Sequence, residues 1–168
     1  MSTQNSQLIS GGLIVTMNDE RDVFFGDLRI EQGKITAIAS QLKPRPGEIV
    51  TSARGNFILP GLIQCHTHVC QSLFRGLADD LSLLDWLTKK IWPFEAAHNS
   101  SSMKASTQYA LVEMQLLGTT SILDMGSTRH GHSIFETAHH LGMRFWGGNC
   151  WADLKERSGP IYLDTAST

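Results

Sequence analysis

Across 168 residues the chain sets 14 Lys and Arg against 16 Asp and Glu, a net charge of −2 that offers no clustered basic surface for nucleic acid or an anionic membrane. Hydrophobic residues make up 41% and charged residues 18%, an ordinary folded composition that excludes disorder. Charges interrupt every apolar run before the roughly 18 residues that a membrane span needs, and the polar opening Met1 to Gln7 lacks a secretory pattern, so a cytoplasmic location is expected.

In chain order, Gln7 to Met17 and Val23 to Glu31 read as strands joined at Asn18-Asp19-Glu20, and Gln32-Gly33 makes a tight turn into Lys34 to Ala39. This is a β-meander. The prolines of Lys43-Pro44-Arg45-Pro46-Gly47 mark a loop, after which Glu48 to Thr51 and Asn56 to Leu59 return to extended structure. The apolar run from Leu59 then ends in Cys65-His66-Thr67-His68. Residues two apart on a strand share a face, so His66 and His68 can offer nitrogens to one metal ion. By spacing alone, His-x-His is also an ordinary surface pattern, and it is the context that carries the metal reading. Cys65 would point to the opposite face, which argues against a closed Cys/His zinc cluster. With Cys70 and Cys150 it makes an odd set without disulfide spacing, and reduced, mostly buried thiols are expected.

After the histidines, Leu81, Leu83, Leu84, Trp86, Leu87, Ile91 and Trp92 predict a largely buried helix that Pro93 stops. Asn99 or Ser100 caps the next helix, which runs through Tyr109, Ala110 and Met114 to Gly118 as its C′ residue. Thr119 to Met125 has the β-branched, apolar character of a buried parallel strand. Asp124 at its end suits support by hydrogen bonding better than metal ligation. Ser133-Ile134-Phe135-Glu136 has capping-box spacing, Ile134, Ala138 and Leu141 share a helical face, and Gly142 ends that helix. Met143 to Cys150 reads as a third strand. Strand alternating with helix predicts an α/β fold with a parallel sheet and outer helices.

The second His-x-His, His130-Gly131-His132, follows Ser127-Thr128-Arg129 and is expected in a loop, where the shared-face argument fails; His130 is kept as a minor substrate-site candidate. His139-His140 falls on a helix surface. Trp86, Trp92, Phe94 and Trp146 can stack on an aromatic ligand, but large aromatics at such spacings more often build core. Asn149 is a candidate pocket residue by its place at a strand end.

The segment Leu59-Pro60-Gly61-Leu62-Ile63-Gln64-Cys65-His66-Thr67-His68 resembles the signature of the amidohydrolase superfamily, in its branch of aminohydrolases and chlorohydrolases acting on purines, pyrimidines and triazines. The likeness extends over Ser10 to Met17, Gly26 to Ile38, Ala53-Arg54-Gly55-Asn56, Leu73 to Asp80, Trp92-Pro93-Phe94-Glu95 and Gly118 to Met125. It implies a (β/α)8 TIM barrel preceded by strands of a small β-sandwich, with a domain of residues 1–58 and the first βα units of the barrel over 59–168. It further implies one divalent metal ion, zinc or alternatively iron, held by His66 and His68, and hydrolytic deamination of an aminated heterocycle by water activated at that metal. Glu95 stands where relatives with a Trp-Pro-x-Glu segment contact substrate. Trp146-Gly147-Gly148-Asn149-Cys150 differs from the nucleoside-deaminase pattern in lacking arginines.

Such a barrel takes roughly 200 residues or more, so these residues cannot close it alone. The family's further ligands, on strands five, six and eight, fall outside them. Two readings follow: part of a metal-dependent deaminase acting on a small heterocyclic substrate, or a truncated or split-gene fragment without activity. In either, self-association or a complementing C-terminal segment is expected, because an open parallel sheet leaves unpaired edges.

Overall fold

The computed structural model describes residues 6–152 and 154–162, and the chain divides into two compact units between Pro60 and Gly61. In the first, β1 (Ser6–Val15), β2 (Val23–Glu31) and β3 (Lys34–Ala39) form the expected antiparallel meander. Gln32 and Gly33 join β2 to β3, both with positive φ (53° and 73°), the twist that suits a two-residue hairpin. β4 (Ile49–Ser52) and β5 (Phe57–Ile58) add in parallel to β1, which becomes the centre of a five-stranded sheet.

Two buried carboxylates brace this sheet. β1 shifts register between Ile9 and Gly12, and the freed Gly11 amide donates to Asp27 Oδ1 at 2.8 Å while Leu42 N donates to Oδ2 at 2.7 Å. Glu48 accepts from Arg29 Nε and Ser6 Oγ, each at 2.6 Å, and from the Arg45 amide at 3.0 Å. The Arg29 bond foremost, then the Ser6 bond, holds the Glu48 carboxyl far below its usual range, down to about 2. A depressed carboxyl pKa contributes stability that is complete above the unfolded value of 4.5 and is lost as pH falls through about 2. The melting temperature is therefore expected to fall as pH drops from about 4.5 toward 2, with a shallower fall in Glu48→Gln, as followed by calorimetry across that window. An unchanged acid slope in the variant would remove Glu48 from this role.

In the second unit, β6 (Leu62–Thr67), β7 (Thr119–Asp124) and β8 (Arg144–Trp146) pair in parallel in that order, as the strand-helix alternation requires. A 3₁₀ turn over Val69–Phe74 leaves β6. The next helical run begins as α1 (Leu83–Trp86), widens to π geometry over Leu87–Ile91, and continues as α2 (Trp92–Ala96). Pro93 therefore does not stop the helix. The Trp92 amide reaches back to Leu87 O in the wide turn, which relieves the clash of a proline ring with the preceding turn. Nor is this run largely buried: Ile91 is 4% exposed, but Leu83 and Leu84 are 68% and 71% exposed.

α3 (Ser100–Leu116) starts at Asn99, whose side chain accepts from the Ser102 amide while the Ser102 hydroxyl accepts from the Asn99 amide, a capping box. Gly118, at φ +88°, follows its end. α4 (Gly131–His140) begins three residues earlier than Ser133-Glu136 spacing suggested, because His130 turns into the left-handed region at φ +59° and opens the helix itself. Gly131 and His132 are thus helical, not loop residues. The third strand is also shorter than expected: only Arg144–Trp146 pairs with β7, and the next link is a single bridge between Ser127 and Asn149. Val69, Cys70, Met103, Leu111, Ile122, Ile134 and Ala138 close the core between sheet and helices. Of the three thiols only Cys70 is buried; Cys65 is exposed and Cys150 lies between, so the expectation of mostly buried cysteines is corrected. No described helix is long and apolar enough to cross a membrane.

Candidate active site

The two histidines meet where β6 runs out. Thr67 is the last strand residue, His66 is exposed just before it, and His68 lies just beyond it with φ −134° and ψ 78°, at the start of the 3₁₀ turn. The shared-strand argument therefore holds only for His66. The backbone leaving the strand is still extended enough to bring the rings together, edge to face, with centroids 5.0 Å apart. Both line a cavity of about 360 Å³ with Gln64, Gln71, Trp86 and Ile91. A larger groove of about 650 Å³ runs along α3 by Tyr109, Val112 and Leu116, but it has neither His nor Cys and no convergent polar chemistry.

Paired imidazoles at a strand end are a donor set that zinc and other divalent ions accept. A catalytic zinc takes about three protein ligands, and among the described residues no group of three or more His, Cys, Asp or Glu is assembled for a metal. His66 and His68 thus fit such an ion as part of a ligand set.

Glu95 comes into this neighbourhood from α2. Gln71 links it to the histidines: Gln71 Nε2 donates to Glu95 Oε1 at 2.8 Å and lies 3.3 Å from His68 Nδ1. Cys70 Sγ is 3.6 Å from the same Glu95 oxygen. Burial, reinforced by Glu95 and Asp124, pushes the Cys70 thiol far up, so it stays protonated and is no nucleophile. Burial raises Cys150 as well.

The remaining candidates are placed by the fold. His130 is spent on the junction between α2 and α3, with Nε2 3.0 Å from His98 O and Nδ1 3.4 Å from Ser100 Oγ. Asn149 is exposed, and its carboxamide lies against Gly131, where a Cβ would collide with it. His132 pairs at the surface with Glu136.

Three residues of the site region were not legible as a group. Asp124 is 4% exposed, and its two oxygens collect Thr67 Oγ1, the Val69 amide and the Gly126 amide at 2.8 to 2.9 Å. His98, 8% exposed, ties Cys70 O to Ser102 Oγ. Gln71, three residues after His68, joins the site only because the chain enters a 3₁₀ turn there. A polar residue one turn beyond the histidines was the available signal.

Residues 57–166 match the model of the amidohydrolase family. The 5'-deoxyadenosine deaminase of Methanosarcina mazei is 41% identical over 119 residues, 70% of this chain and 27% of that protein. The 5-methylthioadenosine/S-adenosylhomocysteine deaminase of Bacillus cereus is 40% identical over 136 residues, 78% of this chain and 31% of that protein. The chain thus spans about three-tenths of the length of these curated relatives. Among solved structures, the atrazine chlorohydrolase of Arthrobacter aurescens TC1 complexed with zinc superposes with a TM-score of 0.78 at 24% identity, over 91% of this chain and 37% of that one. At that identity the likeness speaks for the fold: the parallel sheet and its helices correspond to part of an amidohydrolase barrel.

Proposed function

The chain belongs to the amidohydrolase family, and from that premise we propose that it supplies the first metal-ligating pair, His66 and His68, of a hydrolytic deaminase acting on an aminated purine or similar heterocycle. The observation that carries this reading is the meeting of the two rings in a cavity at the C-terminal end of the first parallel strand, where barrel enzymes keep their chemistry. A divalent ion there, zinc first and iron second, would supply water of lowered pKa as the nucleophile. Glu95, steered by Gln71, offers a carboxylate to the polar part of the substrate. Trp86 contributes an apolar wall. His130 and Asn149 serve the packing around α4 rather than the substrate.

The fragment reading rests on the ligand count. With no third ligand gathered among the described residues, the 168 residues by themselves are expected to be inactive, and activity to require complementing barrel segments. We infer that such segments also cover the exposed Phe25 and Ile35 face of the first unit as a second layer of a composite sandwich. Release of ammonia from 5'-deoxyadenosine, methylthioadenosine, guanine and aminotriazines tests the proposal on the chain joined to such segments. The expected result is turnover of at least one aminated ring; none with any of them, in a folded and metal-loaded protein, would refute the deaminase reading.

A further inference from the structure

We infer that Asp124 is a positioning residue for His68, acting through the backbone on both sides of it. The inference rests on the reading of His66 and His68 as metal ligands. His68 occupies the position that opens the 3₁₀ turn, where Ser, Thr, Asp or Asn would normally satisfy the first free amide with its own side chain. The imidazole makes no such bond. A residue employed as a ligand cannot also cap, and the acceptor comes instead from the neighbouring strand.

Asp124 Oδ1 takes the Val69 amide at 2.8 Å and the Thr67 hydroxyl at 2.9 Å, and Oδ2 takes the Gly126 amide at 2.8 Å. The Thr67 carbonyl in turn accepts from the Met125 amide at 2.8 Å, and Ser106 Oγ donates to the Val69 carbonyl at 2.7 Å. Residues 67 and 69 are thereby tied to one buried carboxylate, and the residue between them has little freedom left in its φ and ψ. The aim of the His68 ring follows from that, since a ligand must be held within about 0.5 Å of its productive place. Three donors converge on the two carboxylate oxygens. An amide in their place would turn one acceptor into a donor facing a donor, which explains a carboxylate at this buried position.

The test compares Asp124→Asn with Ile122→Ala, a core change on the same strand that touches none of these bonds. Three quantities are read in the full chain: the urea midpoint, zinc affinity by chelator competition, and the proton Overhauser cross-peaks between the His66 and His68 rings. In Asp124→Asn the ring cross-peaks are expected to vanish and zinc affinity to fall about 10- to 100-fold. Ile122→Ala, at a comparable loss of urea midpoint, keeps both. Cross-peaks and affinity retained in Asp124→Asn would overturn the inference, as would their loss in step with stability in both variants. Thr67→Val, which removes one of the three donors, takes the place of Asp124→Asn should that protein fail to fold. His66→Ala and His68→Ala separate the two levels of argument. Zinc binding that survives both refutes the ligand reading, and the ring cross-peaks then decide the role of Asp124 without reference to metal.

Discussion

Replacing His66 by Ala in the complemented enzyme is expected to reduce ammonia release below detection and to strip the metal, while leaving the urea midpoint almost unchanged. The structure separates the two effects. His66 is exposed and its ring lies against His68, so its removal opens no core cavity, and surface changes of this kind stay within about 0.5 kcal/mol. The chemical loss is of another order: a catalytic metal lowers the pKa of its water from about 15.7 to about 7, and without it hydroxide is scarce at neutral pH. His68→Ala is expected to match the loss of turnover. Metal content by elemental analysis, kcat/KM and urea titration on the same preparation check this, and a variant that keeps its metal and its turnover would end the ligand assignment.

Gly126→Ala is the second large effect, expected to unfold or severely destabilise the second unit. Gly126 has φ +80°, and a Cβ there would run into the Gly148 carbonyl. A left-handed non-glycine residue alone costs about 1–2 kcal/mol, and here the backbone cannot relax freely. The Gly126 amide is held by Asp124 and its carbonyl accepts from Cys70 Sγ at 3.5 Å, while Ser127 bridges to Asn149. Any shift that clears the clash therefore moves the β7 end that braces the histidines. A urea midpoint for Gly126→Ala within error of the parent would show that the loop accommodates the methyl and that the close approach to Gly148 is not required. Ser121→Ala, elsewhere on β7 with only a small side chain lost, makes a suitable comparison.

Periodicity and punctuation were enough for the parts of the fold that depend on local chemistry. The meander of β1 to β3, the Asn99 cap, the Gly118 stop and the parallel β7 all follow from alternation, turn residues and capping. The failures occur where a tertiary partner decides. Pro93 reads as a helix stop until the π turn before it makes room, and Leu83 and Leu84 read as core although the described residues leave them exposed. His130 in the left-handed region overrides the later Ser133 cap, an option that backbone conformation holds and residue type conceals. In the site, His66 and His68 were visible from spacing and context. The hydrogen bonds of Asp124 span more than fifty residues of sequence, and no local pattern encodes them.

The wide turn at Leu87–Ile91 also sets a direction. Each residue of an α-helix advances the side chains by about 100° around the axis. A turn holding one residue more than the α-helix allows rotates everything after it by about that angle. Glu95 lies downstream of this turn and Trp86 upstream, so the angle between the residue at the carboxylate and the residue at the apolar wall is governed by how many residues the turn contains. Chain length over five residues thus works as a dial on the mouth of the cavity: a single deletion there would turn Glu95 away from Gln71 without altering any side chain that a ligand meets.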